Sequence, residues 1–106
     1  MEFITAKHLS ENKEEFLILD IRDEFKFRNN HIPGSKNIDV YNDLHEGNYD
    51  EIKEKLKALP KEKIIVTVCN AGVTAQPASR LLEEMGYRTA VLEKGMIGWN
   101  KEKSAH

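Results

Sequence analysis

Ile64-Ile65-Val66-Thr67-Val68-Cys69-Asn70-Ala71-Gly72-Val73-Thr74 is the stretch whose reading decides the fold. Its first five residues are β-rich without polar alternation, the pattern of a strand buried on both faces inside a parallel sheet. From Ala75 the apolar residues recur at Ala75, Ala78, Leu81, Leu82 and Met85, which is one face of a helix. Pro77 falls in the first turn, where N–H groups have no intrahelical partner. Gly86 stands where a left-handed helix stop is wanted. The unit therefore reads strand, loop, helix. In such a unit the loop N–H groups and the helix N-terminus converge on one spot and favour an anion there. Cys69, the only cysteine in 106 residues, stands at that spot as a candidate nucleophile. The local field would stabilise its thiolate or a bound oxyanion.

Working outward, Phe3-Ile4 reads as a first strand, and Thr5 can cap a helix through Glu11. Leu17 to Ile21 is a second buried strand, followed by a short helical segment from Arg22 to Arg28. Asn29-Asn30 and Pro33-Gly34 enforce turns, and Asn37 to Val40 can form a short strand. Asn48 with Glu51 three residues later marks a helix start, with Tyr49, Ile52, Leu56 and Leu59 as its buried stripe and Pro60 as its end. Lys61 to Lys63 is a turn. Thr89 to Leu92 is the last strand, Gly95 to Lys103 a closing loop and helix, and Ser104 to His106 a frayed tail.

The length sets one domain over residues 1–106, with no internal repeat. With 32% charged and 40% hydrophobic residues, the chain is expected to be globular rather than disordered or membrane-embedded. A net charge of −2 argues against a general nucleic-acid binder. No stretch approaches a membrane span, and Met1 to Lys7 lacks the apolar core of a signal peptide, so a cytoplasmic location is the expectation. A single cysteine allows no internal disulfide and no built-in resolving thiol. His8 and His45 have no metal-ligand spacing, and the lysines from Lys53 to Lys63, interleaved with Glu51, Glu54 and Glu62, read as a solvated helix and turn. No metal is expected.

Strands alternating with helices predict a three-layer α/β domain with a central, mainly parallel five-stranded sheet. Ligands in such sheets bind beyond the carboxyl ends of the strands. Asp20, Cys69 and Glu93-Lys94 all fall at those ends.

Three blocks give the chain a resemblance to the single-domain rhodaneses, a sulfurtransferase family. Leu19-Asp20-Ile21-Arg22 followed by His31-Ile32-Pro33-Gly34-Ser35 is similar to the family's aliphatic-D-x-R and H-I-P-G elements. Cys69 to Ala75 resembles its active-site loop, and Leu92-Glu93-Lys94-Gly95-Met96-Ile97-Gly98-Trp99 its L-x-G-G-x-x-x-W ending. The resemblance implies that Cys69 accepts a sulfane sulfur as a persulfide and passes it to a nucleophilic acceptor, without metal or organic cofactor. The partners so implied are a small or protein-borne persulfide donor and a thiol or cyanide-like acceptor. The amides of Asn70, Ala71, Gly72, Val73, Thr74 and Ala75 would form the anion cradle, supported by Asp20 and Arg22.

Three departures bear on substrate. Relatives often carry arginine or lysine in the loop, which suits dianionic thiosulfate; here Asn70, Ala71, Val73 and Thr74 are uncharged, which points to a persulfide donor. Lys94 stands where the paired glycines begin and is a candidate replacement for the missing cation. Lys26 stands where relatives often have an acid, leaving Asp23 or Glu24 to pair with Arg22.

Blander readings stand beside these. A lone cysteine after a buried strand is commonly a small core hydrophobe. Asp20 and Arg22 read as holding loops together rather than reacting, His31 as a turn anchor bonded to backbone, and Trp99 as packing the closing helix in an apolar cluster with Met96 and Ile97. A non-catalytic binding or redox-sensing module is the alternative of a different class. A cysteine phosphatase or arsenate reductase would need an arginine six residues after the cysteine to clamp an oxyanion, and that position is Ala75.

Overall fold

The computed structural model describes residues 1–104. Five strands, β1 (Glu2–Ile4), β2 (Phe16–Asp20), β3 (Lys36–Asn37), β4 (Ile64–Val68) and β5 (Thr89–Leu92), form one sheet in the order β1-β5-β4-β2-β3. Every pairing is parallel. Six helices connect and cover them: α1 (Ala6–Glu11), α2 (Glu24–Asn29), α3 (Tyr41–Glu46), α4 (Tyr49–Leu56), α5 (Ala75–Glu84) and α6 (Gly95–Ser104). The three-layer α/β expectation therefore holds, with the sheet wholly parallel.

Strand alternation splits the core in two. Leu19, Ile65, Cys69 and Val91 face the layer that buries Ile52 and Leu56 of α4 and Ala78 and Leu82 of α5. Ile18, Val66, Val68 and Leu92 face the layer that buries Leu9 of α1 and Met96 and Trp99 of α6. Both faces of β4 are thus apolar, which is why its sequence shows no polar alternation. The exception is Thr67, fully buried, whose hydroxyl lies 3.1 Å from the Ala75 carbonyl oxygen and 2.9 Å from Ser79 Oγ. A hydroxyl pair without water must find partners inside, and these tie β4 to α5 on either side of Cys69.

Several boundaries differ from the sequence expectation. β3 is Lys36–Asn37 rather than 37–40, because Asp39 and Val40 lead into α3, a helix without buried residues that offers no apolar period to read. Gly47, at φ 75°, ends α3 in the left-handed region. α4 starts directly after Asn48 as expected, but the Asn48 side chain makes no capping bond: its amide nitrogen lies 3.4 Å from Asp43 Oδ1. α4 buries only Ile52 and Leu56 and ends there, so Tyr49 is 51% exposed and Leu59 packs from the following turn. The Lys55 ammonium, hydrogen-bonded to Asp43 at 2.8 Å, holds the Asp43 carboxyl below the ordinary carboxylate range, and Lys55 is raised in return. A 3₁₀ turn at Lys13–Glu15 precedes β2. Thr5 caps α1, accepting the His8 N–H at 3.0 Å, and Gly86 takes φ 93° after α5, both as expected. Of the tail, Ser104 closes α6, whereas 105–106 lie outside the described residues.

Candidate active site

The carboxyl ends of β2, β4 and β5 bring Asp20, Cys69 and Lys94 to one edge of the sheet. Cys69 follows β4 directly, and its side chain turns toward α5. The thiol is 2% exposed. Two backbone N–H groups point at it: Gly72 N lies 3.2 Å and Ala75 N 3.3 Å from Sγ. The second donor belongs to the first turn of α5, and Thr74 makes no side-chain cap there. Sulfur thus takes the place of a capping oxygen, and negative charge on it meets N–H dipoles at short range.

The loop keeps this shape because the backbone around it has no room for side chains. Gly72, at φ 87°, could not carry a Cβ without approaching the Lys94 nitrogen to 3.0 Å and the Leu92 oxygen to 3.3 Å. At Gly95, φ 52°, a Cβ would stand 2.3 Å from the Cys69 carbonyl oxygen. That closeness lets the first turn of α6 dock on the loop. Met96 N donates to Cys69 O at 2.8 Å and Ile97 N to Asn70 O at 3.0 Å. Helix-terminal N–H groups that would otherwise need water are satisfied by the loop carbonyls. Gln76, which the sequence reading passed over, braces the loop from within: Nε2 donates to Gly72 O at 2.9 Å. Its signal was its place four residues after Gly72, on the first turn of α5.

Asn70 and Thr74 are half-buried, Ala71 is exposed, Ala75 is buried, and Val73 is 69% exposed at the crown. The loop offers an incoming group backbone N–H, a thiol and apolar surface, with no charge of its own.

Asp20 and Arg22 form a buried ion pair, Nη2 to Oδ2 at 2.7 Å. Asp20 Oδ1 also accepts the Arg22 backbone N–H at 3.0 Å, and Arg22 Nη2 donates to Asn30 O at 2.6 Å. Arg22 therefore takes its acid from two residues upstream; Asp23 caps α2 through the Lys26 N–H, and Glu24 pairs with Arg28. None of the hydrogen bonds of this pair reaches the Cys69 loop. His31 anchors its turn, Nδ1 lying 2.7 Å from Phe27 O. Trp99 is 4% exposed against the sheet with Met96, but Ile97 is 59% exposed, since one helical step turns it off that face.

Lys94 is the one non-glycine residue at positive φ among the described residues, at 62°. Its backbone abuts Gly72, and its side chain lines a cleft shared with α1 and α6 that no residue of the 69–75 loop enters. Among the described residues no group of His, Cys, Asp and Glu is arranged to hold a metal, and no helix is long and apolar enough to cross a membrane.

The family model described as a rhodanese-like domain matches residues 5–102. The chain is similar to a putative sulfurtransferase of Bacillus subtilis, YtwF, at 28% identity over 96 residues, covering 91% of this chain and 84% of the relative. It is also similar to the thiosulfate sulfurtransferase GlpE of Shewanella oneidensis, at 28% identity over 103 residues, covering 90% of this chain and 93% of the relative. Among solved structures, a rhodanese-related protein of Thermoplasma volcanium superposes with a TM-score of 0.81 at 27% identity, covering 96% of this chain and 93% of that one.

Proposed function

From the chain's membership of the rhodanese-like domain family, we propose that it is a sulfurtransferase that carries sulfane sulfur as a persulfide on Cys69. The observation that carries this reading is the pair of N–H groups aimed at Cys69 Sγ from Gly72 and Ala75. In the loading step the Cys69 thiolate attacks the outer sulfur of a donor persulfide, R–S–SH. The new S–S bond forms as the donor's S–S bond breaks, and the donor leaves as the thiolate RS⁻. From thiosulfate the leaving group would be sulfite. In the discharge step an acceptor thiolate or cyanide attacks the outer sulfur of the Cys69 persulfide and the Cys69 thiolate departs. Sulfur stays anionic or partly so throughout, and preorganised N–H donors act on that charge without reorganising. One cysteine serves both steps.

The uncharged loop supports a persulfide, small or protein-borne, as a better donor than thiosulfate. A reducing compartment such as the cytoplasm suits a carrier whose only cysteine lacks a disulfide partner. Intact mass spectrometry of wild type and Cys69→Ser, after separate incubation with thiosulfate and a low-molecular-weight persulfide, tests both points. We expect a gain of one sulfur atom on wild type alone, faster from the persulfide and discharged by cyanide. No gain from either donor would overturn the carrier reading in favour of a binding module; faster loading from thiosulfate would overturn the donor preference.

A further inference from the structure

Thr67 and Cys69 stand two residues apart at the end of β4, so both side chains point to the face that α5 covers. There they meet opposite ends of a single residue. The Ala75 N–H points at Cys69 Sγ from 3.3 Å, and the Ala75 carbonyl oxygen accepts the Thr67 hydroxyl at 3.1 Å. Thr67, Ala75 and Ser79 are fully buried, so bulk water competes for none of these bonds. A hydroxyl carries one proton. Ala75 O is the nearer backbone acceptor for it, Ala90 O lying at 3.5 Å, and Ser79 Oγ, 2.9 Å away, donates to Thr67 in turn. The other donor to sulfur is held by different means, Gly72 by its φ of 87° and by Gln76 on its carbonyl. Ala75 opens α5, where Thr74 makes no side-chain cap, and its hold on the strand is Thr67.

We propose that Thr67 is a positioning residue for sulfur transfer: its hydroxyl clamps Ala75 to the strand that carries Cys69, and so keeps the Ala75 N–H aimed at Sγ while the charge on sulfur changes. The proposal rests on the sulfurtransferase reading and adds to it a residue that touches neither donor nor acceptor. During loading, charge leaves Sγ as the new S–S bond forms; during discharge it returns as Cys69 departs as the thiolate. An N–H group free to shift would follow the charge to the terminal sulfur, about 2 Å farther out, and would have to come back before discharge. One fixed at Sγ needs no such reorganisation.

The clamp is removed by Thr67→Val with Ser79→Ala, a pair that leaves no buried hydroxyl without a partner and so spares the fold. Thr67→Ala, which puts no methyl against the Ala75 oxygen, gives the same reading from a second variant. Thr67→Ser keeps the hydroxyl. Single-turnover loading of Cys69 and its discharge are followed with glutathione persulfide as donor and cyanide as acceptor. We expect both saturating rate constants to fall about tenfold without the hydroxyl, less than for the loss of a whole donor, while the half-saturating donor concentration stays unchanged and Thr67→Ser behaves as wild type. In amide spectra of the reduced proteins, the Ala75 proton should move upfield and exchange faster in the variants that lack the hydroxyl, with Gly72 unmoved.

Unchanged rate constants, or a Thr67→Ser variant as slow as the others, would overturn the proposal. So would an effect confined to the half-saturating concentration, which would place Thr67 in donor binding instead. No sulfur uptake by wild type would overturn the sulfurtransferase reading, and this role with it. Uptake by wild type, with the Ala75 resonance displaced in the variants but their rates intact, would overturn the positioning role alone.

Discussion

Two junctions at the same end of the sheet are held by opposite means. After β2, side chains do the holding: the Asp20 carboxylate takes the Arg22 backbone N–H at 3.0 Å and its guanidinium at 2.7 Å, and Arg22 reaches on to Asn30 O at 2.6 Å. After β4, the main chain does it: N–H groups of Gly72 and Ala75 meet sulfur, and carbonyls of Cys69 and Asn70 meet the first turn of α6. The first junction is fixed by which side chains are present, the second by where side chains are absent. A site that must bind and release a changing anion gains from donors that belong to the backbone, because none of them can rotate away or carry a counter-charge.

If the contrast is right, the largest effect comes from the side-chain junction. Arg22→Ala would leave Asp20 buried without its partner and should cost about 3–5 kcal/mol of stability in denaturant unfolding. Replacing both, as Asp20→Leu with Arg22→Met, should recover much of that loss; if the double variant is no better than the single, the pair does more than neutralise itself. At the main-chain junction the sensitive residue bears no side chain. Gly95→Ala should cost about 2–3 kcal/mol and lower sulfur loading of Cys69, since its Cβ would sit 2.3 Å from the Cys69 oxygen. Unchanged loading would mean that α6 and the loop are not rigidly coupled. The smallest effect sharpens the comparison from within the loop. Gln76→Ala, which removes its side-chain brace, should cost about 1 kcal/mol and show as faster hydrogen exchange at Gly72 and Val73.

How far these features were legible before the fold was known follows from the same contrast. β4 and α5 were readable because burial on both faces, and then on one, writes itself into apolar spacing at Ile64 to Val68 and from Ala75 to Leu82. α3 was not, because Tyr41–Glu46 has no fully buried residue and only Leu44 leans on the core, too little to write an apolar period. The Asn48 and Glu51 spacing marked the start of α4 correctly, although the Asn48 side chain turns to Asp43 rather than to the helix N–H groups. Cys69 was conspicuous as the only thiol, and Asp20 and Arg22 as a charged pair beside a buried strand. The strand–loop–helix pattern pointed to the amides of 70–75 as a group, but not to Gly72 and Ala75 as the two that face Sγ, because every non-proline residue has an N–H and only geometry decides which ones converge. For Lys94, position was legible but direction was not: the sequence put it at the edge near the loop, and its left-handed backbone sends the side chain along α1 and α6.

The docking of α6 on the loop also imposes an order of events in time. β5, the fifth strand in chain order, lies between β1 and β4, and the carbonyls of Cys69 and Asn70 wait for N–H groups that come 27 residues later, at Met96 and Ile97. A chain ending at α5 would lack the strand between β1 and β4 and the core residues Val91, Leu92, Met96 and Trp99, as well as the N–H groups that fasten the loop. The loop that holds the thiol is thus fastened only when the interior itself closes, because one segment, β5 with α6, supplies both.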